Sequence, residues 1–166
     1  MRRRTFLLGF AELLSSLVAV SIRLGFAYAR HANELHLVRT ICIGKVEGLR
    51  RDDHFLAELR AELATKNFTV ARDVENADAV LAGVIEIVIV LDGDGTNIPD
   101  DTLRFHLTSA STNVQIWSSK IKVPAQSTSE KDDKYKAQRL AAKIWRDWSE
   151  SAKKAAKRSR SGAPSQ

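Results

Sequence analysis

From Val80 to Leu91 the chain runs for twelve residues, VLAGVIEIVIVL, with Glu86 as the one charged interruption. A helix that crosses a bilayer needs about 20 consecutive apolar residues, so this run is too short to span. Valine and isoleucine dominate it, and Gly83 lies inside it, a composition that favours a strand over a helix. Both alternating sets are apolar: Ile85, Ile87, Ile89 and Leu91 on one side, Val84, Val88 and Val90 on the other. The pattern predicts a central strand covered on both faces. Glu86 falls near its middle, either paired or facing an open patch.

The flanking segments supply the rest of a sheet. Leu35 to Glu47, LHLVRTICIGKVE, is rich in β-branched residues and reads as a strand. A helix follows, with Asp52 or Asp53 as its cap and Asn67 at its carboxyl end. Phe55, Leu59 and Leu63 form its apolar face. FTVARD reads as a short strand. After the long apolar run, DGDGTNIPDD reads as a hairpin loop. TLRFHLTSAS then alternates, with Leu103, Phe105 and Leu107 inward against Arg104, His106 and Thr108 outward. Thr112-Asn113 forms a turn into NVQIWSSKIKV, which Pro124 ends. The last element is a long helix with capping-box spacing at Ser127 and Glu130. Its buried stripe is Ala137, Leu140 or Ala141, Ile144 and Trp148, with Trp145 beside it.

The expected architecture is α/β (α+β): a single mixed sheet of about five strands with two helices packed mainly on one face, in the order β-α-β-β-β-β-α. The helix between the first two strands implies a parallel pair, and the short turns later in the chain imply antiparallel ones.

The first 29 residues read as an address. Arg2 to Arg4 form a basic start, an apolar stretch runs from Phe6 to Ile22, and Ala27-Tyr28-Ala29 provides a small-residue cleavage site. Arg3, Arg4, Phe6 and Leu7 match the twin-arginine export pattern R-R-x-F-L; general export is the other route. Glu12 and Arg23 interrupt the apolar stretch, so a retained anchor or an ordinary amphipathic helix are the alternatives. The expected organisation is an export signal or anchor over 1–29, one domain over 30–152, and a basic disordered tail over 153–166. The expected location is the periplasm or the medium, or the inner membrane if the segment is retained.

Charge follows the same division. The total is +6. Four arginines against Glu12 give the first segment +3, and five cations follow Glu150, so the middle of the chain is left at −2. That near-neutral middle argues against a nucleic-acid surface on the fold itself. The tail offers a weak contact to anionic surfaces.

Few residues point to chemistry. Asp92 and Asp94 match the first and third positions of a calcium loop, but Thr96, Asn97 and Leu103 occupy its fifth, sixth and twelfth. The loop therefore reads as a hairpin, with no metal expected. Cys42 is the single cysteine and reads as a buried small residue; it does not lie near the cleavage site, so lipidation by the usual route is not expected. The four histidines show no ligand spacing, and no P-loop, dinucleotide or nucleophile-elbow motif occurs, so no cofactor and no catalytic residue is assigned. Asp52-Asp53, Asp100-Asp101 and Asp132-Asp133 read as caps and turns. Trp117 sits among the polar neighbours Gln115 and Ser119 and is a candidate exposed contact. Trp117, Glu86, Asp92 and Asp94 are the candidate partner-binding residues.

Several phrases resemble a loose set of exported bacterial proteins. ICIGKVEG before a helix, ADAVLAGVIEI, a strand ending VQIWSSK, and a helix near LAAKIWRDW are similar to the curli-secretion (CsgG-like) and penicillin-binding-protein-activator (LpoB-like) lipoproteins and to the TolB amino-terminal domain. Ala77, Asp78, Val80, Leu81 and Gly83 match the strand entry, and Trp117 and Ser118 match the later W-S. The resemblance covers roughly residues 37 to 148 and departs from the lipoproteins in lacking the lipid-bearing cysteine. It implies the fold and an envelope adaptor or assembly role with a protein partner, without catalysis. The alternatives are an exported hydrolase using Asp92, Asp94, Asp100 or Glu86, and an anchored protein whose tail meets anionic lipid or nucleic acid.

Overall fold

The computed structural model describes residues 34–49, 54–91, 97–124 and 129–161. In chain order these form β1 (Thr40–Glu47), α1 (Phe55–Thr65), β2 (Thr69–Ala71), β3 (Ala79–Leu91), β4 (Asn97–Ser109), β5 (Gln115–Pro124) and α2 (Ser129–Ser161). The apolar run is indeed a strand, and β3 stands at the centre of a five-stranded sheet ordered β2-β1-β3-β4-β5. β1 is parallel to β2 and to β3, whereas β3-β4 and β4-β5 are antiparallel. Sheet and helices follow the order expected from periodicity.

Register places the core. Leu81 faces Leu107, Ile85 faces Leu103, and Leu107 in turn faces Trp117. These side chains are buried on one face, where both helices cover them. Phe55, Leu59 and Leu63 of α1 and Ala137, Leu140, Ala141 and Ile144 of α2 are wholly buried. Gly83 lies opposite Phe105 in this layer. A Cβ on Gly83 would stand 2.3 Å from the Arg104 carbonyl oxygen and 2.6 Å from the Phe105 ring. The glycine inside the strand thus makes room for an aromatic ring laid across it. Gly83→Ala is expected to destabilise by about 1–3 kcal/mol through overpacking. A urea-unfolding midpoint equal to that of the parent would contradict this account of Gly83.

Several expectations need correction. β3 is not covered on both faces: Val80, Ala82 and Val84 are only half-buried, and Arg104, Ser118, Lys120 and Lys122 are exposed. Both helices lie on the Leu81 side, so the valines are shielded only laterally, as where Val80 Cγ1 fills the space beside Gly44. β1 begins at Thr40, not Leu35, because Leu35–Leu37 form a 3-10 turn. The Asp78 carboxylate accepts the N–H groups of Arg39 and Thr40, each at 2.8 Å, and the Val38 carbonyl accepts Trp148 Nε1 at 3.0 Å. These main-chain groups are engaged outside any ladder. β4 begins at Asn97, which puts Asp100 and Asp101 inside a strand. α2 continues to Ser161, so residues 153–161 are helix and not a disordered tail; their alanines and lysines are strong helix formers.

The carboxyl end of α1 is closed locally, and its amino end is tied to α2. Asn67 takes φ 63° at the end of α1, and the N–H groups of Asn67 and Phe68 bond to Ala64 and Leu63, a Schellman closure. At the other end His54, not an aspartate, is the cap residue, and its N–H donates to Asp133 Oδ2 at 3.1 Å. Asp52, Asp53 and Ser127 lie outside the described residues. Asn113, at φ 54°, makes the predicted turn into β5.

Candidate functional site

α2 outruns the core it packs on. Its 33 residues extend about 50 Å at 1.5 Å per residue. Its fully buried stripe ends at Ile144, and beyond Trp148 its inner face carries Ser151, Lys154, Ala155 and Arg158. With Leu35 and His36 of the 3-10 turn and Ile116 to Ser118 of β5, that face bounds a groove of about 620 Å³. Leu35, Ile116 and Trp117 make an apolar floor. Glu150, Lys154 and Arg158 put both signs of charge on the walls.

Two tryptophans hold the groove in shape. Trp117 Nε1 donates to Asp147 Oδ2 at 2.8 Å, and Lys143 Nζ reaches the same oxygen at 2.5 Å. This ties β5 to α2. Trp148 packs edge-on against Phe68 at 6.1 Å and lies under the Arg39 guanidinium at 4.4 Å. With its bond to Val38, it ties α2 to the segment that carries the 3-10 turn. Trp145, edge-on to Trp148, is more than a third exposed.

Trp117 is therefore not an exposed platform. It is 6% exposed, because its register opposite Leu107 puts it on the helix-covered face. It still lines the groove floor. Glu86 accepts Arg104 Nε at 2.9 Å on the open face of the sheet, far enough out that both remain substantially exposed. The question its position raised has a double answer, since it is paired and its face is open. Asp92 and Asp94 lie outside the described residues, as do Arg3, Arg4, Phe6, Leu7, Ala27 and Ala29. Cys42 is buried in β1 with its Sγ 3.8 Å from the Arg72 carbonyl oxygen. Among the described residues no three His, Cys, Asp or Glu side chains converge as a metal site would require. No described helix is long and apolar enough to cross a membrane.

One cluster was missed. Lys136 is buried and ion-paired with both Asp101 of β4 and Asp132 one helical turn back, the latter at 2.5 Å. By sequence Asp101 belongs to a cap or turn. Carrying the alternation of Leu107, Phe105 and Leu103 two residues further back points Asp101 inward, which is the signal that could have found it. Burial alone lowers the Lys136 pKa, but hydrogen bonds to Asp101 and Asp132, then their charges, outweigh it and raise the pKa above the ordinary lysine value of 10.5. A lysine held protonated is neither base nor nucleophile at neutral pH. The cluster fastens the start of α2 to β4.

No family model and no curated protein matches the chain. Solved structures do. A DUF330 protein of Xanthomonas campestris is 13% identical, over 70% of this chain and 88% of that one, with a TM-score of 0.50. A minor lipoprotein of Acinetobacter baumannii is 14% identical, over 71% and 96%, with a TM-score of 0.46. PelC of Paraburkholderia phytofirmans, solved as a dodecamer, is 18% identical, over 66% and 86%, with a TM-score of 0.45. At 13% identity the likeness to the DUF330 protein shows the fold alone.

Proposed function

We propose that the chain is a binding or assembly module exported to the bacterial cell envelope, acting through a protein partner and without catalysis of its own. The observation that carries this is the groove between the 3-10 turn, β5 and α2, with an apolar floor and walls of mixed charge. Apolar anchorage with a polar rim is the anatomy of protein interfaces. The basic, apolar and small-residue layout of the first 29 residues supports export. The resemblance of the strand-entry and W-S phrases to CsgG-like and LpoB-like proteins supports the adaptor role.

The test has two readings. In a bacterium with both export routes, a periplasmic species whose intact mass begins at Arg30 is expected; full-length protein kept inside the cell would sink the export half. A photo-crosslinking residue at Ser151, inside the groove, is expected to yield a discrete adduct in the envelope. The same residue at Glu75, on an exposed 3-10 turn, should not. Equal labelling from both sites would remove the groove as the binding surface.

A further inference from the structure

We infer that the outer face of α2 around Trp145 docks on a bilayer surface of anionic phospholipid, with the indole at the headgroup level. This goes beyond the partner-binding reading and does not rest on it. Arg139, Arg146, Lys153 and Arg160 recur at intervals of seven residues. Seven residues are nearly two whole turns, so the four cations stand in one row along α2, about 10.5 Å apart and about 31 Å from first to last. All four are exposed, on the side of the helix opposite its buried stripe. Trp145 stands beside this row and is 38% exposed. Its neighbours on the same face, Ala142 and Ser149, are small, and the Ser149 hydroxyl donates to the Trp145 carbonyl at 2.8 Å. Neither covers the indole. The recess beside it, about 420 Å³, is bordered by Lys66 from the end of α1 and by Arg146 and Lys153, with Glu150 as its single acid.

Trp145 differs from the other two tryptophans. The indole N–H groups of Trp117 and Trp148 are bonded to Asp147 and Val38, whereas among the described residues that of Trp145 has no acceptor. Among the same residues Lys66, Lys153 and Arg160 make no ion pair, and Arg146 reaches Asp147 only at 3.8 Å. An indole with an unengaged N–H, ringed by cations, suits a membrane–water interface: its apolar body enters the acyl boundary and its N–H meets headgroup oxygens. The row also fits a surface better than a peptide. A protein segment presents acids at its own fixed spacing, whereas lipid headgroups move laterally and meet a straight row of any spacing. Each basic side chain near such a surface contributes at most about fivefold in partitioning, so row and indole act together. The inner side of α2 is packed on the core as far as Trp148. Contact is therefore peripheral, by charge and one aromatic ring, without burial of a whole amphipathic face. Trp145 and Lys154 of the groove are nine residues apart, about 2.5 turns, and so on opposite sides of α2. A chain docked through Trp145 keeps its groove directed away from the membrane.

The test titrates the full chain with vesicles of phosphatidylcholine alone, or of equal parts phosphatidylglycerol and phosphatidylcholine, each brominated on the acyl chains. Quenching of tryptophan emission is the readout. The first 29 residues carry no tryptophan, so the signal reports the fold whatever that segment does. The parent is compared with Trp145→Phe, with Arg146→Glu/Lys153→Glu, and with Lys120→Glu/Lys122→Glu, which makes the same change of charge on the open sheet face. The glutamine pair replaces Arg146→Glu/Lys153→Glu should that variant fail to fold. Phosphatidylglycerol vesicles are expected to quench the parent, less so as salt rises, and phosphatidylcholine vesicles to leave it unquenched. Arg146→Glu/Lys153→Glu should need about tenfold more lipid or more, and the sheet-face pair should stay within about twofold of the parent. Trp145→Phe should abolish the quenching, because Trp117 and Trp148 are engaged within the protein. The proposal is overturned by an unquenched parent, by quenching that survives in Trp145→Phe, or by equal loss from the two charge-reversed pairs. A shift of Trp145 emission by poly-glutamate, with vesicles ignored, overturns it in favour of an acidic protein partner.

Discussion

Replacing Lys136 with methionine is expected to cost the fold about 3–5 kcal/mol at neutral pH, because Asp101 is left as a buried charge without its cation. Lys136 and Asp101 are both nearly inaccessible, and Lys136 is the group that joins Asp101 to Asp132 across the β4–α2 junction. The pair itself adds little beyond what a well-packed apolar pair would, since desolvation offsets most of the attraction. Lys136→Met combined with Asp101→Val is therefore expected to recover most of the loss. Chemical denaturation of the three proteins checks both statements. A single substitution costing under about 1 kcal/mol, or a double one no better than the single, would contradict the buried-pair account.

The same group has a pH signature. A lysine whose folded-state pKa is raised contributes its stability in full below the unfolded value, and that contribution is lost as pH climbs through the folded value. For Lys136 the contribution is whole at neutral pH and disappears only above the ordinary lysine value of 10.5. The parent should show this alkaline loss, and the methionine variant should lack it. An identical alkaline profile in both would assign the loss to other groups.

Phe55→Ala carries the second large effect, about 3–5 kcal/mol through lost burial and a cavity. Phe55 opens α1, is wholly buried, and its ring lies 6.0 Å from that of Phe105 at 43°. Phe105 in turn covers Gly83, so the cavity would open beneath the one position where β3 has no side chain of its own. Neighbours fixed by a strand ladder cannot collapse freely into such a space. Phe55→Leu, which keeps most of the volume, is expected to cost markedly less. Urea unfolding decides: a lowered midpoint with an unchanged slope is the expected result, and equal midpoints for the alanine and leucine variants would show that the site relaxes.

Much of this fold is local and was legible. The apolar run of β3 is short, β-branched and glycine-containing, and it could be neither a span nor a long helix. The four-residue recurrence of Phe55, Leu59 and Leu63 and the alternation of Leu103, Phe105 and Leu107 place each core face, because a 3.6-residue or two-residue period follows from backbone geometry alone. The same holds for Asn67, whose left-handed conformation suits a helix terminus.

What escaped depends on partners distant in the chain. Trp117 is by sequence a candidate exposed contact because its neighbours Gln115 and Ser119 are polar; Asp147, thirty residues on, accepts its indole N–H on the helix-covered face. Asp101 read as part of a turn because the aspartates and glycines around it are turn formers. Only the return of α2 brings Lys136 to it and makes a buried charge tolerable. The start of β1 turned on Asp78 and Trp148 capturing backbone groups from 38 or more residues away.

The sequence by itself therefore determined the elements, their order and the inward faces of α1, β4 and α2, since periodicity is written in consecutive residues. Tertiary structure alone decided which sheet face stays open, where α2 outruns its core, and how Lys136 comes to lie between Asp101 and Asp132. Those outcomes depend on the register between strands and on the path of a helix across them, and both are set by the packing of residues far apart in the chain.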